Sequence, residues 1–296
     1  MSLRMRIALI YNPSAGQEDH TEEDLVERLE AEGHEVRCET TKSDRLQAIA
    51  KEPVDVVIAA GGDGTVRRVT QAFAGRGVPM SILPLGTANN IARTLSLYRA
   101  EEEIVRALRD PDRKQLDLGV ADGPWGAERF VEGFGTGLLA EYLARLEAVK
   151  PKQQQKRAEK LLRRMAKEFP SAPVGLWIDG ENFSGEYFLV EVMNIRSIGP
   201  FAGLAPDADP GDGELDIVLL GEAERGAFSR YAKRLVEKGP ALHPFSAKRC
   251  RRIELAWTGQ PLHVDDSPWP PRGAPNHGKI TLTVESGVFQ VLRPKA

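Results

Sequence analysis

Three glycine-containing turns carry the residues best suited to chemistry: Asn12-Pro13-Ser14-Ala15-Gly16, Gly61-Gly62-Asp63-Gly64-Thr65 and Pro84-Leu85-Gly86-Thr87-Ala88-Asn89-Asn90. Glycine lets an anion approach the main chain, and a helix starting at such a turn offers unpaired N–H groups and a favourable dipole. The chemistry this predicts is phosphate binding. Asp63 sharpens it, because a carboxylate inside an anion-binding loop repels its ligand unless a divalent cation stands between them. Asp63 is therefore the candidate Mg²⁺ contact, direct or through water. Each turn alone has a plain reading as a strand-to-helix connection; three of them on one sheet edge, one holding Asp63, favour the ligand reading. No G-x-x-x-x-G-K-[ST] stretch occurs, which excludes a P-loop. No G-x-G-x-x-G follows the first strand, which argues against a Rossmann dinucleotide site.

The elements that must position these turns follow from the apolar pattern. Arg6 to Tyr11 is a short β run, Thr21 to Gly33 a helix carrying Leu25 and Leu29, and His34 to Thr40 the next strand. Val54 to Ala60 reads as a strand covered on both faces, hence central in a parallel sheet. Val66, Val69 and Phe73 recur at helical spacing, Met80 to Leu83 is another strand, and a helix containing Ile91 and Leu95 follows. This alternation predicts an α/β domain whose loops converge beyond the strand C-termini. After about Leu118 the chain turns β-rich, with Val174 to Ile178, an Asp179-Gly180 turn and Tyr187 to Met193, which predicts a mostly antiparallel second domain. The expected boundaries are 1–118, completed by 285–296, and 119–284. The second domain shows one clear helix, Gln153 to Phe169, with Lys156, Arg157, Lys160, Arg163, Arg164 and Lys167 beside Leu161, Leu162, Met165 and Phe169. Ile280 to Val284 and Val288 to Leu292 are expected to form a hairpin around Ser286-Gly287.

Composition narrows the classes. A length of 296 residues suits two domains. The formal charge of -3 gives no global cationic field, so nucleic acid is not an expected partner. Cys38 and Cys250 lie far apart without C-x-x-C spacing, which removes a zinc ribbon or disulfide scaffold and suits a reduced, cytoplasmic compartment. No apolar run approaches the length of about 18 residues that a span needs, and Met1 to Ile10 reads as a strand rather than a signal peptide. Met5 offers a second start, with Met1 to Leu3 as a leader. The basic helix 153–169 is the candidate contact with an anionic inner membrane face, its plain reading being a solvated charged surface.

Taken together, the segments resemble the diacylglycerol kinase catalytic domain, shared by bacterial lipid kinases and by sphingosine and ceramide kinases. The segments are Tyr11 to Gly16, Gly61 to Val66, Leu83 to Asn89, Leu116-Asp117-Leu118-Gly119 and Asn194 to Asp216, so the match runs over nearly the whole chain. The GGDGT turn alone would equally suit NAD kinase or phosphofructokinase; Leu204 to Asp216 favours the lipid kinases. The resemblance implies an N-terminal NAD kinase/diacylglycerol kinase-like α/β domain and a C-terminal β-sandwich-like domain, with ATP and acceptor meeting in the cleft between them. It carries nucleotide contacts to Asn12, Pro13, Ser14, Ala15, Gly16, Thr41, Gly61, Gly62, Asp63, Gly64, Thr65, Val66, Arg67, Arg68, Gly86, Thr87 and Asn89. It also implies a structural Mg²⁺ site in the Asp209 to Leu215 loop, where main-chain carbonyls near Asp209 and Glu214 join the carboxylate of Asp212, against the plain reading of an acidic surface turn. The implied activity is ATP-dependent phosphorylation of a lipid hydroxyl, diacylglycerol to phosphatidic acid. The alternatives are a weakened or inactive lipid-binding homologue, or a kinase for a sphingoid base or an NAD-like soluble acceptor.

Two departures stand out. Where the family has Asp-Gly-Glu near the end of the second domain, this chain has Asp265-Asp266-Ser267, which puts Ser267 in the place of the glutamate thought to take the acceptor proton. Asp265 or Asp266 is the candidate replacement base, with His263 a further one. Asn90 stands where the family has an aspartate, leaving Asp63 and Asp117 to organise Mg²⁺. Phosphoryl transfer draws most of its acceleration from positioning and charge neutralisation, so a missing base is compatible with activity.

Overall fold

The computed structural model of the chain describes residues 4–15, 21–42, 45–147, 154–199, 202–238 and 245–295. Two compact units emerge, Met1–Asp117 with Ser286–Ala296, and Leu118–Glu285.

The first unit runs β1 (Arg6–Tyr11), α1 (Glu22–Ala31), β2 (Glu35–Thr40), α2 (Leu46–Ile49), β3 (Val56–Gly61), α3 (Asp63–Phe73), β4 (Met80–Pro84), α4 (Asn90–Thr94) and α5 (Glu101–Ala107), then the start of β5 (Asp112–Gly123). Thr21 opens α1 with a capping box closed by Asp24, and Leu25 and Leu29 form its buried stripe. The strands lie parallel in the order β2-β1-β3-β4. Every residue of β3 is buried, as its unbroken apolar run requires. Tyr11 stands level with Thr40 and with Ala60, and Gly61 with Pro84. The strand ends are therefore flush, which brings the turns that follow them to a single edge.

The second unit continues with β5, β6 (Gly126–Phe130), β7 (Gly133–Gly137), α6 (Leu138–Glu147), α7 (Gln154–Glu168), β8 (Ala172–Ile178), β9 (Glu181–Asn182), β10 (Gly185–Tyr187), β11 (Leu189–Met193), β12 (Ser197–Ile198) and β13 (Ala202–Gly203). It ends with β14 (Leu215–Leu220), α8 (Arg225–Lys238), β15 (Lys248–Cys250), β16 (Arg252–Trp257), β17 (Leu262–Val264), β18 (Ser267–Trp269) and the first part of β19 (Gly278–Arg293). One antiparallel layer is ordered β15-β14-β11-β7-β17-β18; the other includes β10-β8-β16-β19. Val190, Val192, Phe134, Leu262 and Val264 of the first layer meet Leu176, Ile253, Leu255 and Leu282 of the second in one buried core. Alternate residues of β11, Leu189 and Met193, face the opposite way into a second core built with α6, α7 and α8. This is a β-sandwich-like unit with helices on one outer face, the α/β and β-sandwich-like combination expected from the motifs.

Two expectations need correction. The second unit holds α6 and α8 as well as the basic helix; in α8, Phe228, Tyr231, Ala232 and Leu235 recur at helical spacing and are buried. The final segment is no hairpin. β19 runs unbroken through Gly287, whose positive φ of 65° bends the strand without reversing it. Its first part pairs antiparallel with β16, and Val291 pairs parallel with Met80 of β4.

Candidate functional site

In the first unit, the turns after β1, β2, β3 and β4 enclose a groove of about 530 Å³ lined by Asn12, Ser14, Ala15, Thr41, Lys42, Gly62, Gly64, Thr65, Arg67, Arg68, Gly86 and Thr87. The Asn12 side chain accepts from Ser14 N at 3.1 Å, and Asn12 N donates to Ala60 O at 3.0 Å, so the first turn is tied to the end of β3. Such an Asx turn needs asparagine or aspartate at its first position.

Gly62 and Gly86 set the floor. A Cβ on Gly62 would lie 3.2 Å from Gly86 Cα, and one on Gly86 would overlap Gly62 Cα outright. The two turns pack backbone to backbone, so glycine is required at both for steric reasons. Gly62 also caps α3, an 11-residue helix whose first turn opens toward this groove at Gly64 and Thr65.

The third turn is held by Asn89, a buried residue at a left-handed φ of 52°. Its side chain accepts from Gly86 N at 3.0 Å and donates to Gly86 O at 2.6 Å and Pro84 O at 3.1 Å. Asn89 thus shapes the turn from within and does not line the groove. Pro13, Gly61, Asp63 and Val66 likewise stand outside the lining; Gly16 lies outside the described residues. Asp63 Oδ1 accepts from Ile91 N at 2.9 Å, which ties the start of α3 to α4.

Among the described residues, the cations lining the groove are Lys42, Arg67 and Arg68. Arg68 donates to Thr41 O at 2.9 Å, and Lys42 Nζ reaches Ser14 Oγ at 3.4 Å. Main-chain N–H groups, a helix start and three cations around an open groove suit a polyphosphate. Lys42 was absent from the sequence reading; a lysine directly after Thr41, at the C-terminal end of a parallel strand, was the signal available.

Asp117 is buried, and its Oδ1 accepts from Gly287 N at 2.6 Å. It secures the bend in β19.

In the second unit, the turn between β17 and β18 separates its two aspartates. Asp265, read above as a candidate base, is 1% exposed and left-handed at φ 52°. Its Oδ1 accepts from Val131, Glu132 and Gly133 N at 3.0, 2.7 and 3.3 Å. A carboxylate shut in by three main-chain donors holds a turn in shape and is closed to an incoming hydroxyl. Asp266 is the exposed carboxylate of the pair, and Ser267 Oγ donates to its Oδ1 at 3.1 Å.

The acidic loop after β13 is self-bonded. Asp209 Oδ1 accepts from Gly211 N at 3.1 Å and Asp212 Oδ1 from Glu214 N at 3.0 Å. Asp212 also faces Arg249 at 3.8 Å and Glu214 faces Arg251 at 3.3 Å. Nearby Asp216 is pushed up to about 6 by burial, with Arg249 opposing and Asp212, Asp207 and Glu214 adding to the rise. Among the described residues no three His, Cys, Asp or Glu side chains converge as a metal cage. Asp209, Asp212 and Glu214 thus share one short loop whose carboxylates are held by main-chain N–H groups and arginines.

An apolar cavity of about 40 Å³ lies among Leu139, Tyr142, Leu162, Phe228, Tyr231 and Leu235, with His263 in its wall.

An α/β unit with a groove at its strand ends, followed by an antiparallel β-sandwich-like unit, defines the class to which the molecule belongs. The family description "Diacylglycerol kinase catalytic domain" matches residues 6–121, and "YegS C-terminal NAD kinase beta sandwich-like domain" matches 137–266. A diacylglycerol kinase of Bacillus subtilis (strain 168) is 31% identical over 242 residues, covering 77% of each chain. One from Staphylococcus haemolyticus (strain JCSC1435) is 25% identical over 263 residues, covering 81% of this chain and 78% of the relative. The crystal structure of a diacylglycerol kinase from Bacillus anthracis str. Sterne superposes with a TM-score of 0.71 at 22% identity, covering 98% of both chains, and shows the shared fold. The chain belongs to the diacylglycerol kinase catalytic-domain family, a family of lipid kinases.

Proposed function

We propose that the protein transfers the γ-phosphoryl group of ATP to a lipid hydroxyl, with diacylglycerol the acceptor and phosphatidic acid the product. The observation that carries this reading is the groove of the first unit: two glycine turns in backbone contact, flanked by Lys42, Arg67 and Arg68. In it, the first turn of α3 at Gly62 and Gly64 presents main-chain donors to the phosphates, and the cations offset their charge. ATP enters as its Mg²⁺ complex, the ion supplying further charge neutralisation. Asp266, the exposed carboxylate of the β17–β18 turn, is the group assigned to the acceptor proton in this reading. The names of the relatives support diacylglycerol over other lipids.

Membrane contact is assigned to α7. Arg157, Lys160, Arg164 and Lys167 are exposed, while Leu162, Met165 and Ala166 are buried against α6 and α8. Arg145, Arg157, Lys160 and Arg164 border, with Leu146 and Leu161, a groove of about 290 Å³ between α6 and α7. Among the described residues no helix is long and apolar enough to cross a membrane.

The test is transfer of labelled γ-phosphate from Mg²⁺-ATP to diacylglycerol, sphingosine or NAD. Label in phosphatidic acid is expected. Nucleotide binding with no transfer to any of the acceptors would instead assign the chain a lipid-binding role, the reading favoured by Ser267 in the glutamate's place.

A further inference from the structure

One buried polar pair has no part in the mechanism so far. Glu191 of β11 and His263 of β17 are both fully buried, with His263 Nε2 and Glu191 Oε2 2.9 Å apart. The strands that carry them are not neighbours; β7 lies between. Gly135 of β7 stands opposite Glu191 on one side and His263 on the other, so the three residues form a row across three strands. A Cβ on Gly135 would overlap both carboxylate oxygens of Glu191 and His263 Nε2. The pair meets in the space that this glycine leaves.

The proton count is fixed by the other ring nitrogen. His263 Nδ1 is 2.8 Å from Asp265 O, and a carbonyl only accepts, so Nδ1 carries a hydrogen. One further proton is shared between Nε2 and Glu191 Oε2. Burial raises Glu191; burial opposes the imidazolium of His263, and Glu191 together with Asp265 carries His263 upward, so both directions favour keeping that proton. With both nitrogens engaged, His263 is unsuited to be the base.

The bond from Nδ1 completes the immobilisation of Asp265. Its carbonyl is held by His263, its N–H by Gly133 O at 2.8 Å, and its carboxylate by the N–H groups of Val131 to Gly133. Asp266 follows directly in the same turn, where its Oδ1 accepts from Ser267 Oγ at 3.1 Å. A buried ionisable pair often gives no more stability than apolar residues of the same volume would.

We propose that Glu191 and His263 are positioning residues for phosphoryl transfer: through the His263 Nδ1 bond to the Asp265 carbonyl, they fix the turn that presents Asp266 and Ser267 to the acceptor. The proposal rests on the kinase reading above and adds residues to it. An amide can replace either ring nitrogen selectively. His263→Asn puts an N–H where Nδ1 sits, and His263→Gln puts one where Nε2 sits. Both are made in a Glu191→Gln background, so that neither leaves a buried carboxylate alone, and each is first checked for cooperative melting.

The expected result with diacylglycerol is that Glu191→Gln alone keeps kcat within about threefold, because its amide still donates to Nε2. Adding His263→Gln lowers kcat by at least about tenfold, the scale of a small misplacement near the chemistry, with KM for ATP unchanged. Adding His263→Asn retains more kcat than His263→Gln does. Equal kcat for the two double variants, or a loss confined to melting temperature, overturns the proposal while leaving the kinase reading intact. A wild-type chain inactive on every acceptor overturns the kinase reading instead. Imidazole ¹⁵N spectra of the full chain, assigned with His263→Gln, supply a readout independent of turnover: an unprotonated Nδ1 at neutral pH would refute the geometry itself.

Discussion

The sharpest constraint on a single residue falls on Gly86. Its Cα lies where a methyl group would collide with Gly62, in backbone that is not free to withdraw because Asn89 clamps it through three hydrogen bonds. Gly86→Ala must part the turns that form the groove floor. The expected outcome is a rise of about tenfold or more in KM for ATP, with the affinity of the second unit for lipid vesicles unchanged. Steady-state kinetics and vesicle sedimentation check the two halves. His34 makes a second residue-scale prediction. Met5 N donates to its Nδ1 at 3.4 Å, and burial, partly opposed by Glu32, lowers its pKa, so the imidazole is neutral in the fold. The unfolded chain takes up a proton near pH 6.5 that the folded chain resists, so stability falls as pH drops from 7 to 5. Urea midpoints should decline over that window for wild type and less for His34→Gln.

At the scale of elements, α7 divides its duties by face. Replacing Lys160 and Arg164 with alanine leaves the buried Leu162, Met165 and Ala166 in place. Each cation near an anionic leaflet contributes about 1 kcal/mol, so the double variant should lose roughly thirtyfold in partition to anionic vesicles. Equal sedimentation of wild type with neutral and anionic vesicles would remove the membrane role. The same scale shows what the sequence made legible. β3 and the turn after it stood out because a strand buried on both faces is an unbroken apolar run, and because Gly61 to Thr65 ends it abruptly. The turns pointed to Asn12, Ser14, Ala15, Gly62, Gly64, Thr65, Gly86 and Thr87 of the groove, but not to Lys42. Harder to see were α6, whose apolar stripe is broken by Glu141 and Arg145, α8, whose stripe is interleaved with arginine and lysine, and the bend at Gly287, which shares its glycine with true hairpins. Least legible was the role of Asp265: adjacent aspartates look alike in a sequence, and only the three N–H groups from a segment more than 130 residues away distinguish the holder of the turn from its exposed neighbour.

At the scale of the whole molecule, the first unit is assembled from both ends of the chain. Phe289, Val291 and Leu292 are buried in it, and Ser81 Oγ donates to Leu292 O at 2.9 Å. A chain ended after Glu285 should lose protection of residues 4–117 in limited proteolysis and lose nucleotide binding, while the sandwich-like unit keeps its own melting transition. Intact nucleotide binding in that truncation would show that the last strand is dispensable to the groove.

The late arrival of β19 also orders events at the ribosome. β4 emerges with its peptide groups on one side unpaired, and the 168 residues of Leu118–Glu285 must then be translated before the strand that covers them exists. At common elongation speeds that interval lasts roughly ten to thirty seconds. For that time a half-made sheet presents an open border to other nascent chains, which makes the early product of translation a natural client for chaperones.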